Sequence, residues 1–152
     1  MSLATGTVAP EFTLVDQFGQ ERSLAALRAA QPVALVFFPL AFSGVCEGEL
    51  CRLRDNIAMF QDASVQLVGI SVDSKHTLRA WAEQQGFDFP LLADFWPHGE
   101  VARAYGAFIA ERGIATRATF VIDRAGVIRA SFATQPGEAR SLESYRAALA
   151  AL

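Results

Sequence analysis

The segment PVALVFFPL, residues 32–40, constrains the fold more than any other stretch of the chain. It is continuously apolar, far too short for a membrane span and closed by Pro39, as expected of a β-strand covered on both faces. A second Val- and Ile-rich run, VQLVGISVD at 65–73, has the same character. Between them, from Glu47 to about Phe60, Leu50, Leu53, Ile57 and Phe60 recur at helical spacing and predict a helix with one apolar stripe. Another helix is predicted over 75–85, opened by Ser74 as N-cap and stopped by Gly86. Two strand–helix units in tandem require parallel strands joined by helical crossovers.

The remaining segments complete that sheet. Residues 10–30 predict a short hairpin bending at Gly19, then a turn of helix. A short strand at 90–94 leads into a loop and a helix around 99–105. TFVIDRAGVIRASF, 119–132, reads as two strands joined across Asp123–Gly126, and 141–151 as a closing Ala/Leu-rich helix. The result is an α/β fold: a mixed sheet with helices on both faces and an N-terminal hairpin. It has the layout of the thioredoxin fold once an insertion between 86 and 118 is allowed for. At 152 residues, with no repeat, low-complexity tract or linker, residues 1–152 are expected to form one domain.

Composition removes several function classes. A net charge of −3 gives no electrostatic basis for binding nucleic acid or an anionic membrane. No apolar run reaches the roughly 18 residues that a bilayer requires. The start, MSLATGTVAPEF, lacks a basic and then apolar leader pattern, and two cysteines are too few for a secreted disulfide framework. A cytoplasmic location is therefore expected.

Both cysteines lie in PLAFSGVCEGELC, at positions 46 and 51. In a sheet of this kind chemistry collects beyond the carboxyl ends of the parallel strands. Cys46 stands there, just past the first core strand and at the start of the next helix. A reactive cysteine acts as a thiolate, and the free N–H groups and positive dipole end of a helix N-terminus favour that form. The alternative for any such cysteine is a small buried hydrophobe. Placement alone does not decide between them.

Pro39, Ser43 and Cys46 form the pattern P-x-x-x-S-x-x-C, which resembles the active-site signature of the peroxiredoxins, P-x-x-x-T/S-x-x-C. The wider segments APEFTL, FFPLAFSGVCEGEL, DFWPHGEVARAYGAF and RATFVIDRAGVIR are similar to the AhpE-type branch of that family across nearly the whole chain. The resemblance implies a thiol-dependent peroxidase without a cofactor. Cys46 would be the nucleophile that attacks a peroxide oxygen and becomes a sulfenic acid. Ser43 would hydrogen-bond the thiolate and the peroxide, Pro39 would shield the thiolate from water, and Arg117 matches the family's active-site arginine. Without the motif, Arg117 reads as a surface ion-pair partner. A guanidinium suits the transition state, in which negative charge spreads over sulfur and two oxygens, because its donors are fixed and it keeps its charge. Glu49, near Cys46 on the helix, would orient that arginine by a bidentate pair, or else is a solvated helix-face carboxylate.

Cys51 has apolar neighbours at helical spacing, so it reads either as a packed helix position or as a resolving thiol. The PrxQ or bacterioferritin-comigratory branch is similar in placing a resolving cysteine five residues after the first. Resolution would then be by an intramolecular disulfide. In a regular helix residues five apart are roughly 8.7 Å apart at Cα, beyond the limit of about 7 Å for a disulfide. The turn must therefore unwind, and Gly48 weakens it. A one-cysteine peroxidase and a non-turnover redox sensor are the alternatives. A zinc site is disfavoured, since only His76 and His98 accompany the cysteines and no zinc spacing is matched. Two residues, not four, separate the cysteines of a thioredoxin-type oxidoreductase. His98 is expected to order its loop, and Phe37–Phe38 and Phe95–Trp96 to belong to the core; exposed aromatics near the active-site loop would instead line a dimer interface, as the resemblance implies. The implied partners are a peroxide, a thioredoxin- or glutaredoxin-like protein or low-molecular-weight thiol as reductant, and a second copy in a homodimer.

Overall fold

The computed structural model describes residues 3–152. Its main sheet has seven strands, in the order β2 (Glu21–Ser23), β1 (Thr13–Val15), β5 (Leu91–Ala93), β4 (Gln66–Ser71), β3 (Val33–Phe37), β8 (Arg117–Ile122) and β9 (Ile128–Thr134). An N-terminal hairpin, β1 (Thr13–Val15) and β2 (Glu21–Ser23), is followed by helix α1 (Leu24–Ala30). The two apolar runs form β3 (Val33–Phe37) and β4 (Gln66–Ser71), paired in parallel, and β4 pairs in parallel with β5 (Leu91–Ala93). The expected mixed, thioredoxin-like sheet is the observed one.

Side-chain alternation along β3 builds two cores. Ala34, Val36 and Phe38 pack on the side that holds Leu50, Leu53, Phe60, Leu78 and Trp81. Val33, Leu35 and Phe37 face the opposite side, with Leu24, Leu27 and Val101. Every residue of β3 is buried, so the reading of a strand covered on both faces holds.

Helix boundaries match the expectation where local chemistry sets them. Helix α4 (Lys75–Gln85) starts at Ser74, whose side chain accepts the Thr77 N–H, and ends at Gly86 with φ +71°. That left-handed conformation is the one glycine adopts without steric cost. The preceding helix differs from the reading of 47–60. Helix α2 (Gly44–Asp55) begins three residues earlier, and Asn56 ends it by donating its side-chain N–H to the Arg52 carbonyl. A separate short helix, α3 (Ala58–Asp62), continues the apolar stripe through Phe60. The first turn of α2 went unread because it opens on Gly44 and contains no core-facing leucine.

Beyond β5, α5 (Glu100–Ala104) is followed by a small hairpin that the sequence reading did not contain, β6 (Phe108–Ile109) with β7 (Ile114–Ala115). Two-residue strands carry no periodicity to read. Phe95 and Trp96 are exposed, at 52% and 82%, contrary to the expectation of core. His98 orders its loop as expected, its Nε2 lying 2.7 Å from the Gly113 carbonyl. The sheet closes with the antiparallel pair β8 (Arg117–Ile122) and β9 (Ile128–Thr134), and the chain with α6 (Leu142–Leu149). Strand β8 starts two residues before the expected 119, because Arg117 pairs with Thr134. Among the described residues no helix is long and apolar enough to cross a membrane.

Candidate active site

Alternation along β8 decides what meets Cys46. Val121 packs on the core side covered by α2, while Ala118, Phe120 and Ile122 face the other side. Arg117 and Thr119 share the parity of Val121 and point toward α2. Arg117, only 2% exposed, donates from Nη2 to Cys46 Sγ at 3.0 Å. Its Nη1 donates to Glu49 Oε1 at 2.9 Å and its Nε to the Pro136 carbonyl at 2.6 Å. Three partners fix the guanidinium, and one of them is the sulfur.

Glu49 is the centre of this cluster. It is 2% exposed and stands on α2 one turn after Cys46, so it is no solvated helix-face carboxylate. Besides Arg117 it accepts three hydrogen bonds from Arg140: from the backbone N–H at 2.7 Å, from Nε at 2.9 Å and from Nη2 at 2.7 Å. Burial alone would raise its carboxyl. The hydrogen bonds and charge of Arg140, with the charge of Arg117 added, instead hold it below its ordinary range. Arg140 Nη1 also donates to Thr119 Oγ1 at 3.0 Å. Sequence reasoning missed Arg140. It lies 91 residues from Glu49, in a loop before a Ser N-cap, where an arginine reads as a solvated surface residue.

Among the described residues four helices have serine at the N-cap, and three of those serines accept a helix N–H: Ser23, Ser74 and Ser141. Ser43, ahead of α2, does not. Its hydroxyl donates to the Leu40 carbonyl at 2.9 Å, and no hydrogen bond joins it to Cys46 among the described residues. The first helical bond of α2 is Glu47 N–H to Ser43 C=O. The N–H groups of Gly44, Val45 and Cys46 are thus left without a hydrogen-bond partner among the described residues. The loop ahead of them is held by Asp73, which accepts the Ala41 N–H at 2.8 Å, and Phe42 within it has φ +67°.

These parts surround an open pocket of about 330 Å³, lined by Pro39, Ser43, Val45, Arg112, Ile114 and Arg117 among others. Cys46 has no exposed surface; its sulfur lies behind the pocket, next to Arg117. Cys51 is half-buried further along α2, and both thiols are free. Its Sγ donates to Gln85 Oε1 at 3.3 Å, and burial pushes its thiol up. The structure thus brings together Pro39, Ser43, Cys46, Glu49 and Arg117, and leaves Cys51 apart on the side of α4.

A family model described as the AhpC/TSA family matches residues 5–131. The chain belongs to that family. It is 51% identical over 150 residues to alkyl hydroperoxide reductase E of Mycobacterium tuberculosis, a match covering 99% of this chain and 98% of the relative. Among solved structures, peroxidoxin BcpB of M. tuberculosis superposes with a TM-score of 0.84 at 32% identity, over 99% of this chain and 96% of the other. Enterococcus faecalis AhpC gives a TM-score of 0.87 at 28% identity, with coverages of 99% and 92%. The AhpE-type resemblance read from the sequence is borne out, and this AhpC/TSA protein is a peroxiredoxin-type thiol peroxidase with a Cys-x4-Cys pair.

Proposed function

We propose that Cys46 is the peroxidatic thiol of this enzyme and that Cys51 resolves it. The observation that carries the assignment is the Arg117 guanidinium at 3.0 Å from a fully buried sulfur, itself fixed by Glu49. In the first step the Cys46 thiolate attacks one oxygen of a hydroperoxide. The S–O bond forms, the O–O bond breaks, and the other oxygen leaves as hydroxide or alkoxide and takes up a proton. Arg117 and the unpaired N–H groups at the start of α2 face the pocket side where that negative charge develops. Pro39 and Val45 keep bulk water from the sulfur, and the Ser43 hydroxyl turns from Leu40 toward the entering peroxide. Because the sulfur has no exposed surface, the peroxide reaches it as the pocket floor opens.

In the second step Cys51 attacks the sulfenic acid, a disulfide forms and water leaves. A reductant, either a thioredoxin- or glutaredoxin-like protein or a low-molecular-weight thiol, restores both thiols. The substrates are hydrogen peroxide, organic hydroperoxides or peroxynitrite. Residues 1–152 act as one domain, in a cytoplasmic homodimer. One equivalent of peroxide, followed by thiol mapping by mass spectrometry, tests the scheme. A Cys46–Cys51 disulfide is expected in the wild type and loss of turnover in Cys46→Ser. A persistent Cys46 sulfenic acid with Cys51 free would remove the resolving role.

A further inference from the structure

One residue outside the pocket holds both ends of the turn that must unwind. Gln85, the last residue of α4, donates from Nε2 to Glu47 Oε1 at 3.0 Å and accepts the Cys51 thiol on Oε1 at 3.3 Å. Its backbone carbonyl accepts from Arg54 Nη1. Positions 47, 51 and 54 lie on one face of α2, so a single residue grips that face at three points over two turns. Trp81, one turn earlier on α4, adds its indole N–H to Glu47 Oε1 at 3.2 Å. Apart from the Glu49 cluster with Arg117 and Arg140, the first turns of α2 have little else to keep them helical. Their N-cap hydroxyl makes no capping bond, and Gly44 and Gly48 lie in open space where a Cβ would meet nothing within 4 Å.

We propose that Gln85 is the latch of the resolving step: its amide keeps α2 wound and the Cys51 thiol turned away, and its release sets the rate of disulfide formation. This inference rests on Cys51 being the resolving thiol. While the latch is closed, the Cys51 proton is engaged by Oε1 and the two sulfurs are held apart by helix geometry. When it opens, the turn 46–51 unwinds, Cys51 loses its proton to solvent and its sulfur attacks the sulfenic sulfur. The S–S bond forms as the S–O bond breaks, and the departing hydroxide takes up a proton to become water. Gln85 acts through Cys51 and Glu47 and touches no reacting oxygen, so it is a positioning residue. Its strength decides how long the sulfenic acid survives, and hence how much peroxide drives it on to sulfinic acid.

The test is stopped-flow oxidation of full-length protein with hydrogen peroxide, timing sulfenic acid and disulfide separately by quenching and mass spectrometry. Gln85→Met keeps side-chain length and the carbonyl that holds Arg54 but loses both amide contacts. It should speed disulfide formation about tenfold, as expected for two hydrogen bonds of ordinary net strength. It should leave the second-order rate of peroxide attack within twofold, and raise by a similar factor the peroxide needed for sulfinic acid. Gln85→Glu sets a carboxylate against Glu47 and should also speed the step. Combining it with Glu47→Gln exchanges donor and acceptor and should restore the slow rate, which a merely structural role would not predict. Indole fluorescence of Trp81 in a Trp96→Phe background should change at the rate of disulfide formation. Equal disulfide rates in wild type and Gln85→Met overturn the latch and leave the resolving role standing. No disulfide in either protein overturns both.

Discussion

Helices α2 and α4 make an instructive pair. Each follows a parallel strand of the sheet, each begins after a serine, and they face one another through Gln85 and Trp81. Helix α4 is built for local stability, with Ser74 capping its start and left-handed Gly86 closing its end. Helix α2 lacks the capping bond and carries two glycines in its first turns. A missing cap costs about 1 kcal/mol, and each glycine about the same relative to alanine. What holds α2 in place is tertiary: Glu49, clamped by two buried guanidinium groups. The helix that carries the thiols is therefore weak along its own axis and strongly tied at one point. That combination suits the proposed scheme, in which α2 fixes one sulfur and releases another.

The largest effect should come from removing the link between that tie and the sulfur. Arg117→Ala is expected to slow peroxide attack by a factor of about 10²–10³, the range for a lost donor to developing charge. The fold should persist through the remaining Glu49–Arg140 bonds, as circular dichroism would show. An undiminished second-order rate would exclude Arg117 from catalysis.

Glu49→Gln tests the tie itself. It leaves two buried guanidinium groups short of their anion and should cost about 3–5 kcal/mol in a denaturant titration. The pH dependence follows from the lowered carboxyl. A depressed folded value contributes stability that is fully present above the ordinary 4.5 and is lost as pH falls through the lower folded value. Wild type should weaken on that acid limb, whereas Glu49→Gln should show a flatter profile there. Parallel acid limbs in the two proteins would mean that Glu49 is not the group responsible.

Smaller exchanges between the two helices sharpen the comparison. Gly48→Ala meets no steric obstacle and should add up to about 1 kcal/mol of stability while slowing disulfide formation several-fold. Ser74→Ala, on α4, should lower stability by about 1 kcal/mol without altering the peroxide reaction. A Gly48→Ala enzyme that closes its disulfide at the wild-type rate would show that winding of this turn is not limiting.

The same contrast explains what was legible in the sequence. Strands β3 and β4 and helix α4 follow from apolar runs, an N-cap serine and a stop glycine, all of which are local signals. Cys46, Ser43 and Pro39 stood out through their spacing; Pro39 and Ser43 line the pocket and Cys46 is buried behind it. The start of α2 was misplaced because its first turn is held by contacts from afar. Arg140 was invisible for the same reason, since its partner is 91 residues away and nothing adjacent marks it. The hydroxyl of Ser43, expected from the resemblance to reach the thiolate, donates to the Leu40 carbonyl. Arg117 and Glu49, whose partners are also distant in the chain, were legible only through the family resemblance.

The parity of β8 has a consequence for how such an enzyme can diversify. Arg117, Thr119 and Val121 share one face of a strand that pairs in antiparallel fashion with β3 and β9. Inserting or deleting a single residue within that pairing would carry the guanidinium through the sheet to the side of Phe120 and Ile122. No intermediate position exists, so the contact between Arg117 and the Cys46 sulfur is indexed to the strand ladder and inherits its all-or-none character. Length changes are tolerable in the segment around Arg112, which borders the pocket without setting its register. A change at the rim can therefore reshape the pocket, whereas the contact between the sulfur and its arginine is kept or lost as one unit.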